Sequence, residues 1–126
     1  MPTKRVLIID DEEDIREVAR VSLAVVGGWE VLLAASADAG LARAAVDQPD
    51  AILLDVMMPG IDGHTAVRLL RDNPATRRIP VILLTAKVQV TDRHAFAALA
   101  VTAVIAKPFD PMTLPVTIAA ALGWSR

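Results

Sequence analysis

The sequence contains no cysteine and no tyrosine, and it has only two phenylalanines and two tryptophans. Without cysteine, the chain cannot form disulfides, thiolate metal sites or a cysteine nucleophile. With so few aromatic rings, the core must be built from aliphatic side chains, and apolar residues make up 54% of the chain. An aliphatic core is typical of a sheet that is covered by helices on both faces.

The chain also lacks a strong charge of either sign and a long apolar run. A formal net charge of −2 gives no reason to expect a nucleic-acid or membrane partner. The first apolar stretch, Val6–Ile9, stops at Asp10 and Asp11, which makes it too short for a signal peptide or a membrane span. We therefore expect a cytoplasmic protein. The length of 126 residues predicts one domain with a continuous core.

Short apolar runs alternate with helical patterns along the chain. The five runs are Val6–Ile9, Val31–Ala34, Ala51–Leu54, Val81–Leu84 and Ala103–Ala106. Each is too short for a helix, and runs that are apolar at every position are typical of parallel strands buried on both faces.

A helical pattern follows each apolar run. The first pattern places on one face Ile15, Val18, Ala19, Ser22, Leu23 and Val26. The second pattern is capped by Ser36, the third ends before Pro74, and the fourth covers about Thr91–Leu99. In the last pattern, Pro111–Leu114 is predicted to be a separate turn or a kinked entry, with regular helix from about Pro115 to Leu122. The reason is that Pro115 cannot donate a hydrogen bond inside a helix.

Five strand–helix units in this order predict an α/β fold with a doubly wound, five-stranded parallel sheet and helices on both faces. Ligands in such folds bind beyond the carboxyl ends of the strands. Asp10 and Asp11 follow the first strand, Asp55 ends the third, Thr85 ends the fourth and Lys107 follows the fifth. We therefore expect three carboxylates, one hydroxyl and one ammonium group at a single edge of the sheet.

Each of these residues alone has an ordinary explanation as a helix cap, a strand-end hydroxyl or a solvated lysine. Bringing the three carboxylates together destabilises the fold, because carboxylates ~5 Å apart repel by roughly 3 kcal/mol per pair at an effective dielectric constant near 20. A fold tolerates such repulsion where function or a cation offsets it. A site made only of oxygen ligands suits a hard cation such as Mg²⁺.

Four segments, in order and with matching spacing, resemble the response-regulator receiver family over essentially the whole chain. The segments are Val6-Leu-Ile-Ile-Asp10-Asp11-Glu12, Leu53-Leu-Asp55-Val-Met-Met-Pro59-Gly60-Ile-Asp62-Gly63, Leu84-Thr85-Ala86 and Ala106-Lys107-Pro108-Phe109. Any one of them is weak evidence, whereas four in register are specific. The resemblance implies the flavodoxin-like strand order 2-1-3-4-5.

The resemblance also implies a role for each site residue. Asp55 is the expected phosphorylation site, which attacks a phosphohistidine and holds the phosphoryl group. The expected Mg²⁺ ligands are Asp11 directly, Asp10 largely through water, Asp55, and the backbone carbonyl of Met57, and Mn²⁺ could substitute for Mg²⁺.

The remaining roles implied by the resemblance concern the phosphoryl group and the output. Thr85 is expected to donate a hydrogen bond to a phosphoryl oxygen, Lys107 to form an ion pair with another, and the Lys107–Pro108 bond to be cis. The family carries an aromatic residue at the position of Val104, where valine has no ring to change rotamer. We therefore expect phosphorylation to be transmitted to partners through the loop at Thr85–Val90 and the helix predicted at Thr91–Leu99.

The resemblance implies a binding switch and not an enzyme, apart from catalysis of its own phosphorylation and dephosphorylation. The expected phosphodonor is a sensor histidine kinase or a histidine phosphotransfer domain. The expected output partner is an unidentified downstream protein, and a weak homodimer is compatible with the sequence. Residues 1–126 are interpreted as one receiver domain without an effector domain.

Two other functions share parts of this pattern. A haloacid-dehalogenase-type phosphatase also uses an aspartate nucleophile and Mg²⁺, but the segment Asp55-Val-Met lacks the second aspartate two residues later. A flavodoxin-type mononucleotide binder is disfavoured because the first turn, Asp10-Asp-Glu-Glu13, would repel a phosphate.

Other polar residues favour solvated positions. These are His64, His94, Arg68, Arg71, Arg77 and Arg78. The alternatives are a ligand or phospho-carrier role for the histidines and a docking role for the arginines.

Overall fold

All five apolar runs form strands, and the strands make one parallel sheet. The structure, a computed structural model, describes residues 3–86 and 101–124. The strands are β1 (Arg5–Ile9), β2 (Glu30–Ala34), β3 (Ala51–Asp55), β4 (Val81–Thr85) and β5 (Ala103–Ala106). They pair in the order β2-β1-β3-β4-β5, which confirms the predicted topology.

Four α-helices are described. They are α1 (Glu13–Val21), α2 (Ala37–Asp47), α3 (Gly63–Asp72) and α4 (Leu114–Leu122), and a π-helical segment, Ser22–Val26, continues α1. The pattern at Thr91–Leu99 lies outside the described residues. No helix within residues 3–86 and 101–124 is both long and apolar enough to cross a membrane.

The core lies on both faces of the sheet, because successive residues of a strand point to opposite sides. On one face, Leu7 and Leu54 of the sheet pack in one cluster with Val67 and Leu70 of α3. On the other face, Ile8 and Leu53 belong to a cluster formed with helices α1 and α4. Every residue of β3 and β4 is buried. Full burial of each such aliphatic side chain is worth about 1.5–3 kcal/mol.

Local signals set the helix boundaries. The Ser36 hydroxyl accepts a hydrogen bond from the backbone N–H of Ala39 at 3.1 Å, which confirms the predicted cap of α2. Helix α3 ends at Asp72, as predicted from the nearby proline. A turn at Asp110, whose carbonyl accepts from the N–H of Leu114 at 2.9 Å, precedes α4. The predicted turn is therefore present and leads directly into the helix, which begins at Leu114, one residue before the predicted start.

The inner face predicted for the first helix is partly wrong. Ala19, Ser22 and Leu23 are buried, but Val18 is 42% exposed. Val18 lies about 100° around the helix from the centre of the buried face, at its margin. The change from α- to π-helical hydrogen bonding at Ser22 was also not predicted.

Arg71 was predicted to be solvated, and this was wrong. Its Nη1 donates to the carbonyls of Arg77 and Ile79 at 3.0 and 2.9 Å, so it fastens the loop between α3 and β4. Burial lowers the pKa of Arg71 below the ordinary arginine value. Arg68 and Arg78, in contrast, are exposed.

The two tryptophans of the chain pack against each other where its ends meet. The rings of Trp29 and Trp124 form a T-shaped pair with centroids 5.1 Å apart. The Lys4 ammonium lies 5.1 Å from the centroid of the Trp124 ring. These residues join the start of β1, the start of β2 and the end of α4.

Candidate functional site

The strand register brings the predicted polar residues to one edge of the sheet. Asp55 pairs with Leu84 across β3 and β4, and Thr85 pairs with Ala106 across β4 and β5. Asp10, directly after β1, is 0% exposed, while Asp55 and Thr85 are 1% and 2% exposed. Carboxylates are rarely buried to this extent without a partner. The carboxyl edge of the sheet therefore holds two buried acids and a buried hydroxyl.

The turn after β1 is held by Asp10 and presents two further acids. Asp10 Oδ1 accepts a hydrogen bond from the N–H of Glu12 at 2.9 Å, and Arg16 donates to the Asp10 carbonyl at 2.8 Å. Asp11 and Glu12 are exposed. Carboxylate oxygens of Asp10, Asp11, Glu12 and Asp55 all lie within 4.8 Å of one another. We call these four residues the acidic cluster.

Lys107 reaches into the acidic cluster from the end of β5. Its Nζ lies 2.9 Å from Asp10 Oδ2, 3.3 Å from Asp55 Oδ1 and 3.6 Å from Glu12 Oε1. Burial alone would lower the pKa of Lys107, but hydrogen bonds and charges of Asp10 and Asp55 outweigh it and raise the pKa. The lysine is therefore a fixed cation at neutral pH.

Asp55 has one satisfied oxygen and one unsatisfied oxygen. Its Oδ1 accepts from the N–H of Met57 at 3.1 Å, while Oδ2 is buried and has no hydrogen-bond partner within the described residues. Burial and the charge of Asp10 raise the pKa of Asp55 against the opposing effects of Met57 and Lys107. A buried, unpaired carboxylate oxygen is costly. This oxygen is therefore available to a cation or an electrophile.

The donor set fits a hard divalent cation. Four carboxylates and one ammonium group leave an excess of negative charge, and every potential ligand atom of the acidic cluster is an oxygen. Mg²⁺ prefers such ligands and retains several waters. The exposure of Asp11 and Glu12 leaves the cluster open to solvent. The predicted ligand role of the Met57 carbonyl stays a prediction.

Two features of the site were not predicted from the sequence, the contact of Glu12 with Lys107 and the contact of Arg16 with the Asp10 carbonyl. The third consecutive acid in the first motif was the available signal for Glu12.

Val104 is half-buried and packs against the core cluster that contains Leu83. The Lys107–Pro108 bond is cis.

A family model of the response regulator receiver domain matches residues 6–119. The chain belongs to the response-regulator receiver family. Among curated relatives, the response regulator PleD of Caulobacter vibrioides is 42% identical over 110 residues, which cover 87% of this chain and 24% of PleD. The transcriptional regulator RpaA of Synechocystis is 38% identical over 106 residues, 84% of this chain and 44% of RpaA. The receiver domain thus spans less than half of either relative.

Solved receiver structures superpose closely on the chain. Vibrio cholerae chemotaxis protein CheY4 is 30% identical with a TM-score of 0.89, and the match covers 95% of this chain and 99% of CheY4. The receiver domain of the Pseudomonas aeruginosa sensor histidine kinase PA1611 is 29% identical with a TM-score of 0.85, over 97% of this chain and 99% of that domain. That structure has a magnesium ion coordinated in its active-site cleft. The chain is therefore a response regulator receiver domain of two-component signalling.

Proposed function

We propose that the receiver domain accepts a phosphoryl group on Asp55 from a phosphohistidine of a sensor histidine kinase or a histidine phosphotransfer domain. The observation that carries this proposal is the buried, unpaired Oδ2 of Asp55 inside the acidic cluster. In the transfer, Oδ2 forms a bond to phosphorus while the phosphorus–nitrogen bond of the donor breaks. The electron pair of that bond leaves with the imidazole, which takes up a proton.

Positive charge is needed because a carboxylate must approach an anionic phosphoryl group. Lys107 supplies one positive charge from its position between Asp10 and Asp55, and Thr85 would donate a hydrogen bond to a phosphoryl oxygen. Mg²⁺ bound by Asp10, Asp11, Asp55 and the Met57 carbonyl would neutralise charge on the transferring oxygens. Mn²⁺, with similar ligand preferences, could substitute.

The output is proposed to be a change in partner binding rather than turnover of a substrate. Val104 offers no aromatic ring to change rotamer, so a shift at Thr85 would be transmitted through backbone movement after β4. The residues after position 86 that would carry it lie outside the described part of the chain. We propose that residues 1–126 act as one receiver domain on an unidentified downstream protein.

Phosphorylation by acetyl phosphate tests the assignment of Asp55 as the phosphoryl acceptor. With Mg²⁺, the parent protein should gain one phosphoryl group that is labile to hydroxylamine, as measured by intact-mass spectrometry. The Asp55→Asn variant should gain none, because the amide is not a nucleophile. Chelator should abolish the reaction in the parent. Stoichiometric phosphorylation of Asp55→Asn, or an unreactive parent in saturating Mg²⁺, would overturn the proposal.

A further inference from the structure

We propose that Glu12 holds Lys107 in the unphosphorylated receiver domain and competes with the incoming phosphoryl group for it. This inference rests on the proposed function of Asp55, and it assigns Glu12 as a residue that sets the rate of that reaction. Glu12 acts through Lys107, so it is a positioning residue and not a member of the reacting set.

The backbone frees the Glu12 side chain for this contact. Glu12 occupies the N-cap of α1 with extended backbone angles, φ −86° and ψ 114°, yet its side chain makes no capping hydrogen bond. Its N–H is already bound to Asp10 Oδ1. The carboxylate instead lies 3.6 Å from Lys107 Nζ, with 61% of the Glu12 side chain exposed.

The three contacts of Lys107 differ in how easily they can be broken. Lys107 donates a hydrogen bond to Asp10 at 2.9 Å and lies 3.3 Å from Asp55. Its contact with Glu12, at 3.6 Å, is an ion pair that is too long for a hydrogen bond. The first two acceptors are buried, whereas Glu12 is exposed and its charge is screened by water. Of the three contacts, the ion pair with Glu12 is therefore the one that a phosphoryl oxygen on Asp55 would most readily displace from Lys107.

The acidic cluster also permits a different role, in which Glu12 binds the divalent cation. The two roles differ in their consequences. Loss of a metal ligand lowers Mg²⁺ affinity. Loss of a competitor for Lys107 raises the phosphorylation rate at saturating Mg²⁺ and changes Mg²⁺ affinity little.

The test compares three variants by their initial rate of phosphorylation from acetyl phosphate in saturating Mg²⁺. Glu12→Gln should be about two- to fivefold faster than the parent, the range expected for loss of an exposed ion pair. Glu12→Asp keeps the charge but is one methylene shorter, so it should also be faster. The matched control is Glu13→Gln, which removes an equal charge from the neighbouring exposed residue outside the acidic cluster and should match the parent.

Two further measurements separate the mechanisms. In a Lys107→Ala background, Glu12→Gln should no longer change the rate, because its effect passes through the lysine. Calorimetry should give Glu12→Gln and Glu13→Gln the same Mg²⁺ affinity within about twofold.

Equal rates for Glu12→Gln and Glu13→Gln would overturn the inference. So would a parent-like Glu12→Asp, an effect that persists without Lys107, or a Mg²⁺ affinity lowered about tenfold or more in Glu12→Gln, as for a lost metal ligand. A parent that takes up no phosphoryl group would instead overturn the proposed function, so the two failures are distinguishable.

Discussion

Lys107 and a divalent cation would act on the same carboxylates. The ammonium group already contacts Asp10 and Asp55, the two buried members of the acidic cluster. A metal ion bound there would share these acids with the lysine, and two cations close together repel. The lysine would therefore oppose metal binding even though both cations would favour the proposed phosphoryl transfer.

Replacement of Lys107 by alanine should separate these effects. We expect Lys107→Ala to bind Mg²⁺ about two- to tenfold more tightly, because a competing cation is removed, and to lose most of its phosphorylation rate. Calorimetry measures the affinity and acetyl phosphate the rate. Asp11→Ala is the reference for a lost ligand, and an equal loss of affinity in Lys107→Ala would show that the lysine supports the metal site directly.

The sequence predicted the location of the site residues but not all of their contacts. Asp10, Asp55 and Thr85 could be placed because the carboxyl ends of parallel strands share one edge. The Glu12–Lys107 contact depends on side-chain torsions of two long residues, and no spacing rule determines these. The strand order and register of the sheet determine where the charged residues lie, whereas side-chain rotamers determine which of them form ion pairs.

At the level of elements, the junction of α1 and the π-helical segment is tied to the chain that follows Lys107. Ser22 is buried, with 2% of the residue exposed, and its hydroxyl donates to the carbonyl of Pro111, 89 residues away in sequence. A π-helical turn widens a helix and recurs at functional sites. Gly27 ends the segment, where a Cβ would lie 2.6 Å from the Leu23 carbonyl oxygen. The Ser22 hydrogen bond therefore joins the C-terminal end of α1 to the turn that precedes α4.

Removal of this hydrogen bond should destabilise the fold. We expect Ser22→Ala to lower the free energy of unfolding by about 0.5–1.5 kcal/mol, the net value of one hydrogen bond. Urea denaturation measures it. The control is Thr117→Ala, whose hydroxyl bonds to the Thr113 carbonyl within its own exposed helical turn and should cost less. Equal losses in both variants would mean that the tie to Pro111 adds nothing beyond local helix structure.

Element boundaries were predicted within one residue where burial and pairing coincide. Strand β5 has its predicted bounds, whereas the other four strands each extend by one residue, at Arg5, Glu30, Asp55 and Thr85. An apolar run marks burial, but backbone pairing continues into polar residues at strand ends. The π-helical segment was missed because hydrophobic periodicity reports which face is buried and not which carbonyl each N–H reaches.

At the scale of the whole molecule, we expect repulsion within the acidic cluster to lower the stability of the fold. Strands β1 and β3 are hydrogen-bonded neighbours, with Ile9 opposite Leu54. Because this pairing fixes the backbone next to Asp10 and Asp55, the repelling carboxylates cannot move apart without disrupting the core. The order of the strands came from the family resemblance, because alternation alone predicts a parallel sheet and leaves its order open.

The instability should depend on metal. In chelator, Asp11→Asn should be more stable than the parent by about 0.5–1 kcal/mol, because a solvent-screened repulsion is removed. Mg²⁺ at 100 times its Kd should stabilise the parent by about 2.7 kcal/mol and the variant much less. Urea unfolding with and without Mg²⁺ measures both effects.

Glu13→Gln is the control for this experiment and should gain as much from Mg²⁺ as the parent does. Equal gains in the parent and in Asp11→Asn would contradict a metal site that includes Asp11. A variant less stable than the parent in chelator would show that Asp11 has a structural role of its own.

The contact between Trp29 and Trp124 should make intrinsic fluorescence a probe of the packing of the last helix against the first strands. Trp29 and Trp124 are the two tryptophans of the chain, and they contact each other beside the amino ends of β1 and β2, at the edge of the sheet opposite to Asp55. Their emission should therefore change when the last helix detaches from the first strands. Magnesium and phosphoryl binding at the far edge should leave that emission nearly constant. Intrinsic fluorescence is thus suited to following unfolding, and occupancy of the site needs a separate signal.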